Sequence, residues 1–381
     1  MRLTPDRAKR GILHPERHAR EAAVNYFAGS YNQDAEIIPL AIRAIEQYGA
    51  AAFETNVFFG TLIHSDATLR WMIDRRASLP VAPEDPSSLW SGLTAALCHV
   101  DPALMKSHEA QILALQPLDA DTRLAIRERF RLHAEAPDAL WADLDDFCQR
   151  HQHHQTAPEP DLKHAGRLAE ALSRHPQFAK PRVLELLAQP IKYVKGNSLA
   201  WMEPFAVRMA GRMRLEEAIP AIVGRLSDGS EWISDECLSA LTQIGTDAVG
   251  RAVARAYPQG SDDFRFHAAG LLEGIHSDDS VATCWKLLEH EQSDQIRQQL
   301  FKALLIHGDP AVFEPVRTWL LSHPRDPDWL DLRADLISAA TLMETEFPEL
   351  AAWKEDLLHD VAFRRQWYAD FFGRPLSENI T

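Results

Sequence analysis

What this chain lacks narrows the possibilities before anything it contains. No stretch reaches the roughly 18 consecutive apolar residues of a membrane-crossing helix, so no membrane partner is expected. Cysteine is scarce: Cys98, Cys148, Cys237 and Cys284 stand far apart and never as C-x-x-C. That spacing offers neither a zinc knuckle nor a disulfide framework, and each cysteine falls in a helical apolar pattern as a buried free thiol would. Positive charge is also short, with 40 Lys and Arg against 55 Asp and Glu, a net charge of −15. Neutralising a phosphate backbone needs the opposite balance, so nucleic acid is not an expected partner.

The opening Met1-Arg2-Leu3-Thr4-Pro5-Asp6 has no apolar run of the kind that marks a secretion signal, and a cytoplasmic location is expected. Catalytic motifs are missing too: there is no G-x-S-x-G, H-E-x-x-H, P-loop or G-x-G-x-x-G. No catalytic residue, metal or cofactor is therefore assigned. The imidazole cluster His151-Gln152-His153-His154 fits an exposed helix end, and no metal is assigned to it.

What is present is periodicity. At 381 residues the chain is too long for one ordinary core, and a stacked array is one way to extend a core along an axis. In the C-terminal half, short polar breaks recur at Asn197-Ser198, Gly229-Ser230, Gly260-Ser261 and Gln292-Ser293, so that the serines keep a nearly constant spacing. Such a residue caps a helix by accepting a bond from an otherwise unpaired backbone N–H. Apolar residues then follow three and four apart, as in Ile233, Cys237, Leu238, Leu241 and Ile244. Each helix stops at a break such as Gly245-Thr246-Asp247, His276-Ser277-Asp278 or Gly308-Asp309-Pro310. Second helices are expected at Ala248–Tyr257, Val281–Leu288 and Val312–Leu321.

Toward the N-terminus the spacing weakens, but helices are expected over Arg20 to Phe27 and Ile37 to Tyr48, with further pairs at 53–78, 87–115, 119–154 and 161–190. Proline falls mainly at breaks or first turns (Pro5, Pro15, Pro102, Pro310), where its missing N–H costs little. No segment alternates apolar and polar residues as a strand would. The fold class is all-α.

A two-helix unit with a period of about 31 residues resembles the HEAT-repeat family, and in particular its short variant found in phycobilin lyases. The residues carrying the likeness are Glu217-Ala218-Ile219-Pro220-Ala221-Ile222, Asp309-Pro310-Ala311-Val312, and His14-Pro15 through Arg20-Glu21-Ala22-Ala23. The resemblance covers about two thirds of the chain and implies an α-solenoid of stacked hairpins. The expected domains are N-terminal degenerate repeats over 1–155 and C-terminal repeats over 162–347, with two departures from the repeat pattern, a proline-rich joint at 156–161 and an aromatic cap over 348–381. The cap would be built on Trp353, Phe363, Trp367, Tyr368, Phe371 and Phe372. The resemblance specifies architecture and hardly touches function; because a solenoid exposes a long concave surface, the expected function is a non-enzymatic scaffold that holds a protein or peptide there. Other members of the wider class act as tetrapyrrole lyases or DNA glycosylases, or as structural subunits of larger assemblies, and these stand as alternatives.

Three groups of residues are candidates for binding. Trp201, Trp232, Phe264, Ile296 and Trp329 recur at the same near-constant interval. Such a ladder either forms a recognition strip or packs between repeats. Asp235, Glu236, Asp262 and Asp263, with Asp228, Glu231 and Asp294 near them, either stabilise helix N-termini or face a basic partner. The segment 162–215 reverses the charge, its many basic side chains facing only Glu170, Glu185 and Glu203. Its Lys192, Lys195, Arg208 and Arg212 either meet an acidic partner or phosphate, or pair internally with acidic neighbours.

Overall fold

Helix follows helix because the apolar residues keep a 3.6-residue period and the breaks carry caps. The computed structural model describes residues 2–53, 57–80, 88–154, 156–191, 196–226, 231–322 and 330–357, and no strand occurs among them. Two compact units divide the chain. One comprises Met1–Leu104, His108–Leu118 and Phe301–Thr381, and the other Met105–Ser107 and Asp119–Leu300.

In the first unit, α1 (Pro5–Gly11), α2 (Arg17–Ala28) and α3 (Ile37–Tyr48) are formed, and the last two match the expected helices closely. The next segments are more broken. Only α4 (Asp66–Ser78) is a full helix in 53–78, after a 3-10 turn at Val57–Gly60. Region 87–115 is split into α5 (Leu89–Ala96), the single turn α6 (Pro102–Met105) and α7 (Glu109–Ala114). Asp101-Pro102 cannot continue a helix, and Phe58 and Phe59 are fully buried in a stacked pair that holds the 3-10 turn against α5.

The second unit holds regular hairpins. They are α8 (Ala120–His133) with α9 (Pro137–His151), and α10 (Glu159–Leu172) with α11 (Pro176–Leu187). Next come α12 (Ser198–Arg212), α13 (Ile219–Val223), α14 (Glu231–Ile244), α15 (Asp247–Ala256), α16 (Asp262–Glu273) and α17 (Asp278–Leu288). α18 (Asp294–Ile306) starts in this unit. Helices α12, α14, α16 and α18 begin at Ser198, Glu231, Asp262 and Asp294, each within a residue or so of an expected break, so the sequence period is the structural period.

Two layers result. α8, α10, α12, α14 and α16 each pack on the next, and α13, α15 and α17 do likewise. The proline-rich stretch 156–161 lies inside this unit, where α9 and α10 pack together. Asn197 rather than Ser198 caps α12, while Ser261 caps α16 as spaced and Ser277, in the break before α17, caps that helix; Ser230 lies outside the described residues. Pro181 and Pro204 sit inside α11 and α12, unlike the prolines at helix starts, and each removes one rung of the helical ladder.

The first unit is completed by α19 (Phe313–Ser322) and α20 (Leu330–Met343). α20 packs against α19 and also against α1 and α2, which are far from it in sequence. Arg7 Nε donates to the Leu342 carbonyl at 2.7 Å, and the Leu3 N–H donates to the His307 carbonyl. Past α20 the residues 351–357 are helical, with Trp353 edge-on to Phe347 and Lys354 on Glu16. Phe363, Trp367, Tyr368, Phe371 and Phe372 lie outside the described residues. No helix among the described residues is long and apolar enough to cross a membrane. Cys148, Cys237 and Cys284 are buried free thiols, and Cys98 is half-buried.

A close helix approach rests on Gly211 in α12. A Cβ there would lie 2.5 Å from the Ala240 Cα of α14. Gly211→Ala should therefore destabilise the fold by about 1–3 kcal/mol through overpacking. Gly270→Ala is the matched control, since a Cβ at that helical position meets nothing within 4 Å. It should be neutral or stabilise by up to about 1 kcal/mol. Urea denaturation of the two variants measures the contrast.

Candidate functional site

The layer α8–α10–α12–α14 carries a dense group of charged side chains. Helical spacing sets it up: Arg208 and Arg212 lie four apart on α12, and Glu170 and Arg174 lie four apart at the end of α10. Arg129 of α8 sits in an apolar stripe with Ile126 and Phe130, so its guanidinium is carried inward. There it meets Glu170. Arg129 Nη2 donates to Glu170 Oε1 at 2.6 Å and Nε to Oε2 at 3.2 Å, with the two residues only 4% and 9% exposed. Arg174 Nη2 and Arg212 Nη1 also approach Glu170 Oε1, at 3.8 and 3.9 Å. One carboxylate thus gathers three guanidinium groups.

Burial alone would push the Glu170 carboxyl above its usual value. The hydrogen bonds from Arg129 and the fields of Arg129, Arg212 and Arg174 outweigh burial, and the net shift is downward. Arg212 experiences the converse. Its recessed position and the neighbouring Arg208, Arg129 and Arg174 lower its affinity for the proton, with Glu170 opposing. The Arg212 side chain nevertheless keeps 40% of its surface open.

Flanking pairs extend the row in both directions. On one side Glu128 takes His164 and Arg167. On the other, Arg208 grips Glu236 of α14 through Nε and Nη2. Gly166 of α10 makes room for Arg208, since a Cβ there would stand 2.6 Å from Nη1. Among the described residues no group of His, Cys, Asp and Glu is arranged to hold a metal.

The aromatic ladder lies in the packing between helices. Trp201 is 8% exposed, with its ring 5.8 Å from Phe147 of α9, 5.7 Å from His151 and 5.8 Å from Trp232. Phe205 closes the cluster against Phe147 and Trp232. Trp232 is half-buried, whereas Phe264 and Ile296 are buried. Trp329 lies outside the described residues, as do Lys192, Lys195 and Asp228. His151 is itself buried at the end of α9, against Phe147 and Trp201, whereas His153 and His154 are exposed just past that helix end, as expected of the cluster.

Of the acids, Glu236 is held by Arg208, Asp262 by Arg265 at 2.6 Å, and Asp263 approaches His267 at 3.5 Å. Asp235, Glu231 and Asp294 are exposed. The structure therefore brings Arg208, Arg212 and Glu236 together and leaves Asp262 and Asp263 apart from them on α16. Arg129, Glu170 and Arg174 join the cluster without having stood out as binding candidates. The available signal for Arg129 is a charge on the apolar face of α8.

No protein-family model matches the sequence, and no curated protein matches it. A solved structure described as an engineered protein is similar over 91% of this chain and 100% of its own, at 11% identity and a TM-score of 0.31. A likeness that faint bears on neither fold nor function.

Two substitutions probe this geometry. Trp201→Ala empties a site shared by α9, α12 and α14, and should cost about 3–5 kcal/mol in urea unfolding. Glu170→Gln strands the buried Arg129 and should cost about 3–5 kcal/mol at pH 7. The pH dependence carries a sign. A carboxylate held below its usual 4.5 stabilises the fold fully above that value and loses the contribution as pH falls through its folded value. The acid limb of the stability curve should accordingly be shallower in Glu170→Gln than in the parent chain.

Proposed function

We propose that this chain is a non-enzymatic scaffold of HEAT-like repeats that binds a protein segment along the α8–α10–α12–α14 layer of its second unit. The observation that carries this reading is the continuous row of charged side chains crossing four successive helices, from Glu128 and Arg167 through Glu170, Arg174 and Arg212 to Arg208 and Glu236. Charged groups in a fixed row set the register and on-rate of an extended partner more than they add raw affinity. The regular spacing of the starts of α12, α14, α16 and α18 supports the HEAT-like part of the reading. Repeat stacks of this sort present long surfaces made of equivalent positions, which suits extended partners.

The test is affinity capture from the native host with the full chain and with a double variant, Arg208→Glu/Arg212→Glu, checked by circular dichroism for an intact helical signal. A bound protein should be retained by the parent chain, released as salt rises, and reduced at least about tenfold in the variant, as charge reversal in a contact row demands. An identical bound set in parent and variant, or no retained protein, overturns the proposal.

A further inference from the structure

Among the described residues of the first unit, Arg20 and Arg76 are both buried, and their surroundings differ. Arg20, 2% exposed, stacks on Tyr48 and is wrapped in backbone carbonyls: Nε donates to Ala52, Nη1 to His14 and Pro15, and Nη2 to Ala51. Arg76 of α4 is 1% exposed and stacks on Trp90 of α5, its Cζ 3.7 Å from the ring centre. Its Nε donates to Thr94 Oγ1 at 2.6 Å and its Nη2 to the Pro117 carbonyl at 2.5 Å. Its Nη1 is buried and meets no acceptor among the described residues, and the same holds for the indole N–H of Trp90. Buried donors left in this way are rare in a folded chain, and here two belong to one stack.

Charge is the larger deficit. A guanidinium keeps its proton even when buried, so it cannot escape the cost of leaving water as a lysine can. Burial alone lowers the Arg76 affinity for that proton, with no neighbouring charge adding to the effect or opposing it. The helices offer no relief. α4 buries Leu69, Met72 and Ile73 along with Arg76, and α5 buries Leu93 along with Trp90 and Thr94.

We propose that the Arg76–Trp90 stack is the binding site of a small molecule bearing one carboxylate, whose oxygens accept from Arg76 Nη1 and Trp90 Nε1. One negative charge balances the one buried positive charge, whereas a dianion would leave a net charge of opposite sign in the same apolar surroundings. Water would satisfy the donors and leave the charge. A carboxylate does both, and its planar pair of oxygens suits guanidinium N–H groups. Thr94 and Pro117 hold the guanidinium in place, and Thr94 Oγ1 is itself anchored on the Trp90 carbonyl at 2.8 Å. A group fixed beforehand loses little freedom on binding. This site lies in the first unit and is independent of the reading given for the second.

The stack is closed to solvent, so the ligand is admitted by refolding the full chain from urea in its presence. Acetate is the probe, in a dilute zwitterionic buffer, with chloride at matched ionic strength. Acetate should raise the urea midpoint of the parent chain saturably, as a ligand of the native state does, and at a concentration at least about tenfold lower than chloride. Arg76→Met should erase that response. Trp90→Phe keeps the stack, removes one donor, and should weaken acetate about tenfold. The indole N–H resonance that disappears in Trp90→Phe should move downfield when acetate saturates the parent chain, a readout that holds even if Arg76→Met does not fold. Glu84→Gln/Asp85→Asn, which removes the two acids between α4 and α5 in the sequence, should respond to acetate as the parent does. A midpoint that acetate does not move, a rise shared by Arg76→Met, equal responses to chloride and acetate, or an unmoved Trp90 resonance overturns the assignment. So does an acetate response confined to Glu84→Gln/Asp85→Asn, which assigns the guanidinium to an acid of the chain itself.

Discussion

Taking a carboxylate out of water costs several kcal/mol, and a side chain left alone in that position would take up a proton instead. Glu170 escapes because Arg129 meets it with two hydrogen bonds, and because Arg174 and Arg212 add their fields. The positions of α8, α10 and α12 are tied to this arrangement, since the three helices and the turn after α10 supply its members. Moving any one of them would open a buried charge to an apolar surrounding. A hydrophobic core could have joined the same helices without that electrostatic penalty. The ion cluster adds direction, because guanidinium and carboxylate groups tolerate few relative orientations.

The aromatic cluster supplies what the ions do not. Phe147, Trp201, Phe205 and Trp232 meet edge to face or tilted, with ring centroids 5.6–5.8 Å apart, and so fill the junction of α9, α12 and α14 with apolar area. α12 therefore takes part in two contrasting contacts. Arg208 and Arg212 join the charged row, while Trp201 and Phe205 enter the aromatic junction. Gly211 lets the same helix approach α14 closely enough for both to hold.

Much of this is legible in the sequence, and the limits have physical causes. Periodicity places α2, α3 and most of α8 to α17 well, because an apolar stripe and a cap are local properties. The turns Gly245 and Gly308 are legible for the same reason, and both adopt positive φ. Region 87–115 is harder, since a single proline and short apolar runs leave the number of helical pieces undetermined. The aromatic spacing marks a repeat position, but spacing cannot say whether an equivalent position faces a neighbour or solvent. Trp201 faces Phe147, which belongs to a helix well upstream in the chain. Arg129 and Glu170 likewise belong to helices whose pairing one sequence does not reveal.

Some of the ion pairs follow the repeat closely enough to be sought from sequence. Arg208–Glu236 and Arg251–Asp279 have the same separation along the chain, 28 in each case. An arginine on a helix of one unit thus finds an acid nearer the start of the equivalent helix of the next, because the contact spans slightly less than one period. This register changes the meaning of the net charge. Acids such as Glu236 and Asp279 contribute to the total of −15, yet each is matched by an arginine from the preceding repeat. The charge left at the surface is set by what that pairing leaves, position by position. At Glu170 three arginines meet one carboxylate, inside a chain whose overall balance is strongly negative.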